Sequence, residues 1–140
     1  MTKNFLFIFS FIFFISLSIN SYAAFPEEYS ENKDITLSDK TFIIDDNKVT
    51  VSYTRPAKPL RPFQITFKFE KENIKDMNYT TNMVMNMGDY KYTPVKNQDI
   101  YMITPVLPRC GSGRTLWYGQ LDITYNSNKK DKLIFFYNVK

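Results

Sequence analysis

Histidine is absent from the 140-residue chain. Its absence removes the commonest general base and the commonest ligand for zinc and copper(II). No Ser-His or Cys-His nucleophile can be assembled from what remains. A single cysteine, Cys110, excludes an internal disulfide, so the fold must hold by apolar packing. Only four glycines are present, and none forms a phosphate-cradling loop; HExxH and CxxC are also missing. Adjacent carboxylates occur at Glu27 and Glu28, in a polar segment, and at Asp45 and Asp46, in a turn. Neither pair reads as acid/base machinery, because a solvated loop explains both. The chain is therefore expected to bind rather than to catalyse.

Long apolar runs are absent after Ile19, so no later segment is expected to cross a membrane. The first residues are different. Lys3 precedes FLFIFSFIFFISLSI at positions 5–19, and Ser21 and Ala23 supply small residues suited to a signal peptidase. The run is 15 residues long, short of the roughly 20 that a helix needs to span a bilayer. Residues 1–23 read as a cleaved signal peptide with the cut after Ala23; the alternative is an uncleaved anchor. The mature chain is expected to be exported, periplasmic or secreted, with no stable membrane span.

The remaining chain is long enough for one domain with one core. Its weak positive charge is spread along the sequence, with Lys58 and Arg61 among prolines and Lys129 and Lys130 beside Asp131. Such an excess reads as a solvated surface with weak attraction to anionic membranes, and it carries no nucleic-acid motif.

Residues 24–40 read as a polar, loosely held leader containing a short strand at 35–37. Residues 41–140 form the expected domain. Positions 41–44 and 48–53 are β-branched and aromatic runs separated by Asp45, Asp46 and Asn47, which predicts a hairpin. Pro56, Pro59 and Pro62 then interrupt regular structure. Phe63, Ile65 and Phe67 alternate with polar residues as a half-buried strand does. Further strands are expected at 78–87, 99–106 and 133–139. In the strand that begins at Trp117, residues Trp117, Gly119, Leu121, Ile123 and Tyr125 share one face. Seven or eight short antiparallel strands without helical periodicity argue for an all-β sandwich anchored on Trp117.

One pattern carries distinctive chemistry. Met83-Val84-Met85-Asn86-Met87 would, as a strand, project three thioethers from one face at steps of about 6.5–7 Å. Thioether sulfur is soft and neutral, which suits copper(I) and disregards hard ions. Cys110, beside Arg109, would add a thiolate. Methionine is equally an ordinary core filler, and a buried cysteine is commonly inert. Both readings stand at this point.

Residues 61–125 resemble small exported domains of the FixH/YtkA-like type. The resemblance lies in the alternating strand at 63–67, the Met-rich segment running into Gly88, and a strand at 101–107. It continues in a Leu-Pro-x-Cys-x-x-Gly loop, here Leu107 to Gly113, that leads into Trp117. It covers about half the chain. It implies an immunoglobulin-like sandwich in the bacterial envelope and a link to copper handling or to assembly of copper-containing oxidases. It would place a metal role on Met83, Met85, Met87 and Cys110. It also implies a copper-donating or copper-receiving envelope protein as partner. The chain departs from the related oxidase-assembly proteins in its cleavable-looking signal, where they keep an anchor. The competing expectation is a metal-free interaction or structural module using strand edges and an aromatic surface, given 13 Phe and 10 Tyr.

Overall fold

The computed structural model describes residues 26–83 and 85–140. The expected signal peptide at 1–23 lies outside the described residues, as does Val84. The described residues form nine strands: β1 Lys40–Ile44, β2 Asn47–Tyr53, β3 Ile65–Phe69, β4 Ile74–Met83, β5 Tyr90–Tyr92, β6 Val95–Asn97, β7 Ile100–Ile103, β8 Leu116–Tyr125 and β9 Lys130–Asn138. One sheet has the order β1-β2-β3-β7-β6 and the other β5-β4-β8-β9, with every pairing antiparallel. This is immunoglobulin-like connectivity. Strands β2-β3-β7-β6 take the places of A-B-E-D, β4-β8-β9 those of C-F-G, and β1 extends the first sheet.

The expected hairpin of β1 and β2 forms, turning at Asp45 with φ 55°. Alternation does the rest. In β2 the side chains of Val49, Val51 and Tyr53 are buried while Lys48 is exposed and Thr50 and Ser52 are half-buried. In β8, Trp117, Gly119, Leu121, Ile123 and Tyr125 all face inward as expected. A strand places successive side chains on opposite faces, so such a sequence has only one register that buries its apolar set.

Aromatic residues fill the space between the sheets, and Gly119 makes room for them. A Cβ at that position would lie 2.6 Å from Tyr79 Oη and 2.7 Å from Phe135 Cζ. The core also holds a short polar relay. Tyr79 Oη donates to Tyr137 Oη at 3.0 Å, Tyr137 Oη lies 2.6 Å from Thr81 Oγ1, and Thr81 donates to the Tyr118 carbonyl at 2.6 Å. Every phenol in this chain of contacts is satisfied, which is what a buried hydroxyl requires.

Burial, before any other cause, raises the pKa of Tyr79 and Tyr137 well above the ordinary tyrosine value and pushes Tyr125 up to about 12. Below pH about 10 the phenols are neutral in both folded and unfolded chains, so their contribution is intact. Above it the unfolded chain loses protons that the folded chain retains, and stability falls. Chemical unfolding followed by fluorescence should therefore show a midpoint that declines as pH rises through 10 to 12. Tyr137→Phe should flatten that decline.

The leader is not loosely held where it is described. Ile35 is fully buried and its N–H donates to the Phe136 carbonyl at 2.9 Å. Asp34 bridges Phe136 in parallel sense, and the ring of Tyr29 packs edge-on to Phe136 at 5.2 Å. The expected strand at 35–37 is reduced to that bridge. The physical reason is the free edge of β9, whose backbone groups the leader covers. Asn138 is held in the same way, donating from its backbone and side chain to Thr36 Oγ1.

Strand directions place residues 54–64, 85–89 and 104–115 at one end of the sandwich. The connections at 45–46, 70–73 and 126–129 lie at the other.

Candidate functional site

The expected methionine stripe does not form as a strand face. β4 ends at Met83, and the chain then turns. The Asn86 N–H donates to the Met83 carbonyl at 3.0 Å, and Asn86 has φ 47°. One side chain organises this turn. Asn82, only 4% exposed, accepts from the backbone N–H groups of Met83 at 2.7 Å and Met87 at 2.9 Å. Its amide nitrogen donates to Asn86 Oδ1 and Asp89 Oδ1, both at 3.0 Å. An asparagine that offers the backbone local partners competes with continuation of the ladder. Here it wins.

The three thioethers consequently meet three environments. Met83 is buried in the core, opposite Trp117 in the β4–β8 register. Met87 is half-buried and packs against the core. Met85 is exposed at the tip.

Cys110 occupies a loop built for a close turn. Leu107, fully buried, anchors it, and the Gly113 N–H donates to the Cys110 carbonyl at 3.1 Å. Gly113 has φ 76°, a conformation that glycine adopts without strain. The turn folds the Ser112 hydroxyl back to 3.0 Å from Cys110 Sγ. The same hydroxyl lies 3.2 Å from Met85 Sδ. Met85 and Cys110 therefore come together through one shared oxygen. Met83 and Met87 do not join them through it.

Ser112 also tunes the thiol. Its side-chain hydrogen bond is the largest influence holding the Cys110 pKa below the ordinary value, followed by the Ser112 backbone, while burial opposes it. The guanidinium acting on the thiol is that of Arg114, whose backbone contributes as well. Arg109, expected in this role from adjacency, instead lines a small cavity of about 100 Å³ beside Cys110, Pro59, Pro108 and Trp117. Cys110 exposes 7% of its surface and packs with the buried core.

Among the described residues no group of three or more His, Cys, Asp or Glu is placed to hold a metal. The donors gathered here are different: an exposed thioether, a thiol biased toward thiolate, and a hydroxyl between them. Metal–sulfur bonds of about 2.3 Å allow two sulfurs to share an ion at separations up to about 4.6 Å. The Ser112 contacts bound the separation of the two sulfurs only at about 6.2 Å, beyond that limit, so sharing an ion would require the unbranched Met85 side chain to move toward Cys110. Ser112, Arg114 and Asn82 escape sequence reasoning because each acts through a turn. The available signal is the serine flanked by glycines two positions after the cysteine.

Replacing Asn82 by alanine should lower stability by about 2–3 kcal/mol, since it removes an amide with four partners and leaves the Met87 N–H unpaired. Urea unfolding measures the loss. The same variant should release Met85 from Ser112, visible as a shift of the Met85 methyl resonance.

No family model matches the chain, and no curated protein matches it.

Proposed function

We propose that the mature chain is an exported copper(I)-binding protein, a chaperone or buffer that exchanges its ion with an envelope partner. The reading rests on one observation, the Ser112 hydroxyl held between Met85 Sδ and Cys110 Sγ. In this proposal Met85 and Cys110 are the ligands, while Met83 and Met87 pack beneath the loop that presents them.

The hydroxyl has one proton for two sulfurs. With Cys110 protonated, the thiol donates to Ser112 Oγ and Ser112 donates to Met85 Sδ. When Cys110 loses its proton, the hydroxyl turns to the thiolate, which is the stronger acceptor. That rotation frees a lone pair on Met85 as the charge appears on Cys110. Both ligands become available in one step, and the copper(I) they receive is cargo rather than a resident group. The exposed thioether leaves one side of the ion open to a partner, and a neutral ligand is readily exchanged.

The test is titration of the mature protein with copper(I) against a chromophoric chelator. One ion per chain should bind, and Met85→Leu should weaken binding about tenfold, because it removes the neutral, readily exchanged ligand. Binding that survives unchanged in both Met85→Leu and Cys110→Ser would sink the proposal.

A further inference from the structure

Four basic residues from two loops far apart in sequence share one end of the sandwich. Lys58 and Arg61 lie on the loop after β2, and Arg109 and Arg114 on the loop after β7, at the same end of the sandwich. All four are exposed, and among the described residues none forms an ion pair. Residues 54–64 and 104–115 contain no acidic side chain; the carboxylates at this end include Asp39, which pairs with Arg55, and Asp89, which accepts from Asn82. The opposite end pairs more of its cations. There Lys71 meets Asp46, Lys129 meets Asp45, Lys48 meets Glu70, Lys96 meets Glu72 and Lys68 meets Asp99.

The cationic end also presents aliphatic tips. Leu60 is 70% exposed and Val106 is 47% exposed. The Leu60 N–H donates to the Leu107 carbonyl at 2.8 Å, which ties the two loops side by side. Leu60 has φ 60°, a left-handed conformation that a branched side chain rarely adopts. The fold thus holds an apolar side chain outward at a conformational cost, a pattern associated with function. Pro56, Pro59, Pro62, Pro105 and Pro108 stiffen both loops, so little ordering remains to be done on contact.

We propose that this end docks peripherally on an anionic lipid surface. Arg61, Arg109, Arg114 and Lys58 would engage headgroup phosphates, with Leu60 and Val106 entering the headgroup–acyl boundary. A bilayer suits these features better than an acidic protein does. Leu60 and Val106 project from the loops and line neither cavity at this end, the one of about 100 Å³ beside Arg109 or the one of about 330 Å³ beside Arg55. A fluid headgroup layer needs no matching shape, and apolar area combined with basic charge is what interfacial binding requires. None of these residues is a proposed copper ligand; Arg114 also acts on the Cys110 thiol, so the test uses Arg61 and Arg109.

Vesicle co-sedimentation of the mature, copper-free protein tests it. Vesicles of phosphatidylglycerol and phosphatidylcholine in equal parts should bind the protein, with affinity falling as salt rises, while pure phosphatidylcholine should bind at least about tenfold less. The pair Arg61→Gln/Arg109→Gln should weaken binding about 25-fold, at about five-fold per cation. Leu60→Ser should weaken it about tenfold. Lys130→Gln/Lys132→Gln removes the same charge at the other end and should leave binding within about two-fold. A matching thermal midpoint establishes that each variant is folded. Failure to bind the mixed vesicles overturns the proposal, as does equal weakening by the Lys130/Lys132 pair. Binding to soluble poly-glutamate as strong as to vesicles, together with indifference to Leu60→Ser, also overturns it and identifies an acidic protein surface instead.

Discussion

Gly119→Ala is expected to lower the stability of the domain by about 3–5 kcal/mol, the largest effect of any single methyl group added to this core. The added Cβ would lie 2.6 Å from Tyr79 Oη, 2.7 Å from Phe135 Cζ and 2.8 Å from Tyr79 Cε2. Both rings are fully buried, so neither can swing into solvent to make room. Tyr79 is constrained further by its hydrogen bond to Tyr137, and Phe135 by ring contacts with Phe67, Tyr79 and Tyr137. Relief requires moving a ring and breaking the polar relay, which adds a buried unsatisfied phenol to the overpacking. Thermal unfolding should show a midpoint lower by about 10–20 °C. Tyr79→Leu should partly rescue the alanine variant by vacating the space. A midpoint within two degrees or so of the parent would contradict the packing at β4, β8 and β9.

The strand containing Gly119 was the most legible part of the sequence. From Trp117 to Tyr125 the alternation is unbroken, and each inward position is apolar or aromatic except Gly119, which leaves room for the rings of Tyr79 and Phe135. The hairpin at 40–53 was equally plain, because the Asp-Asp-Asn turn is flanked by two β-branched runs. Strands β5 and β6 were not anticipated. Tyr90–Tyr92 and Val95–Asn97 are three residues each and are separated by Pro94, too short for a periodicity to register. They raise the count to nine strands among the described residues where seven or eight were expected.

The leader was misread for a related reason. Its polar composition shows neither that Ile35 is buried nor that the edge of β9 offers it hydrogen bonds. Both depend on chain distant in sequence.

The candidate site divides along the same line. Residue types were readable, since thioethers and a thiol name their own chemistry. Their arrangement was not, because the period-two argument assumed that β4 continues to Met87. Asn82 stops it at Met83, and the contact that replaces the stripe, Met85 to Ser112, crosses from one loop to another. The thiol's cationic neighbour was assigned to Arg109 by adjacency, whereas the turn at Cys110–Gly113 brings Arg114 round instead.

On the proposed copper(I) role, Cys110→Ser should reduce affinity by at least about 100-fold, beyond the tenfold or so expected for Met85→Leu, because it would remove the charged ligand and leave only neutral donors. Ser112→Ala separates the ligand role from the tuning role. It keeps both sulfurs but deletes the hydrogen bond that most lowers the thiol pKa. Alkylation of Cys110 followed across pH should therefore show its midpoint moving upward in Ser112→Ala. Near neutral pH copper(I) binding should weaken about tenfold, since ligation must then displace a more tightly held proton. The direction of the pH effect is diagnostic. Above the raised pKa both proteins present a thiolate, so the difference in affinity should shrink as pH increases. If Ser112→Ala instead binds equally well at every pH, the hydroxyl merely fills space between two sulfurs. If Cys110→Ser retains full affinity, the thiolate is no ligand, and the loop is a buried turn with an exposed methionine above it.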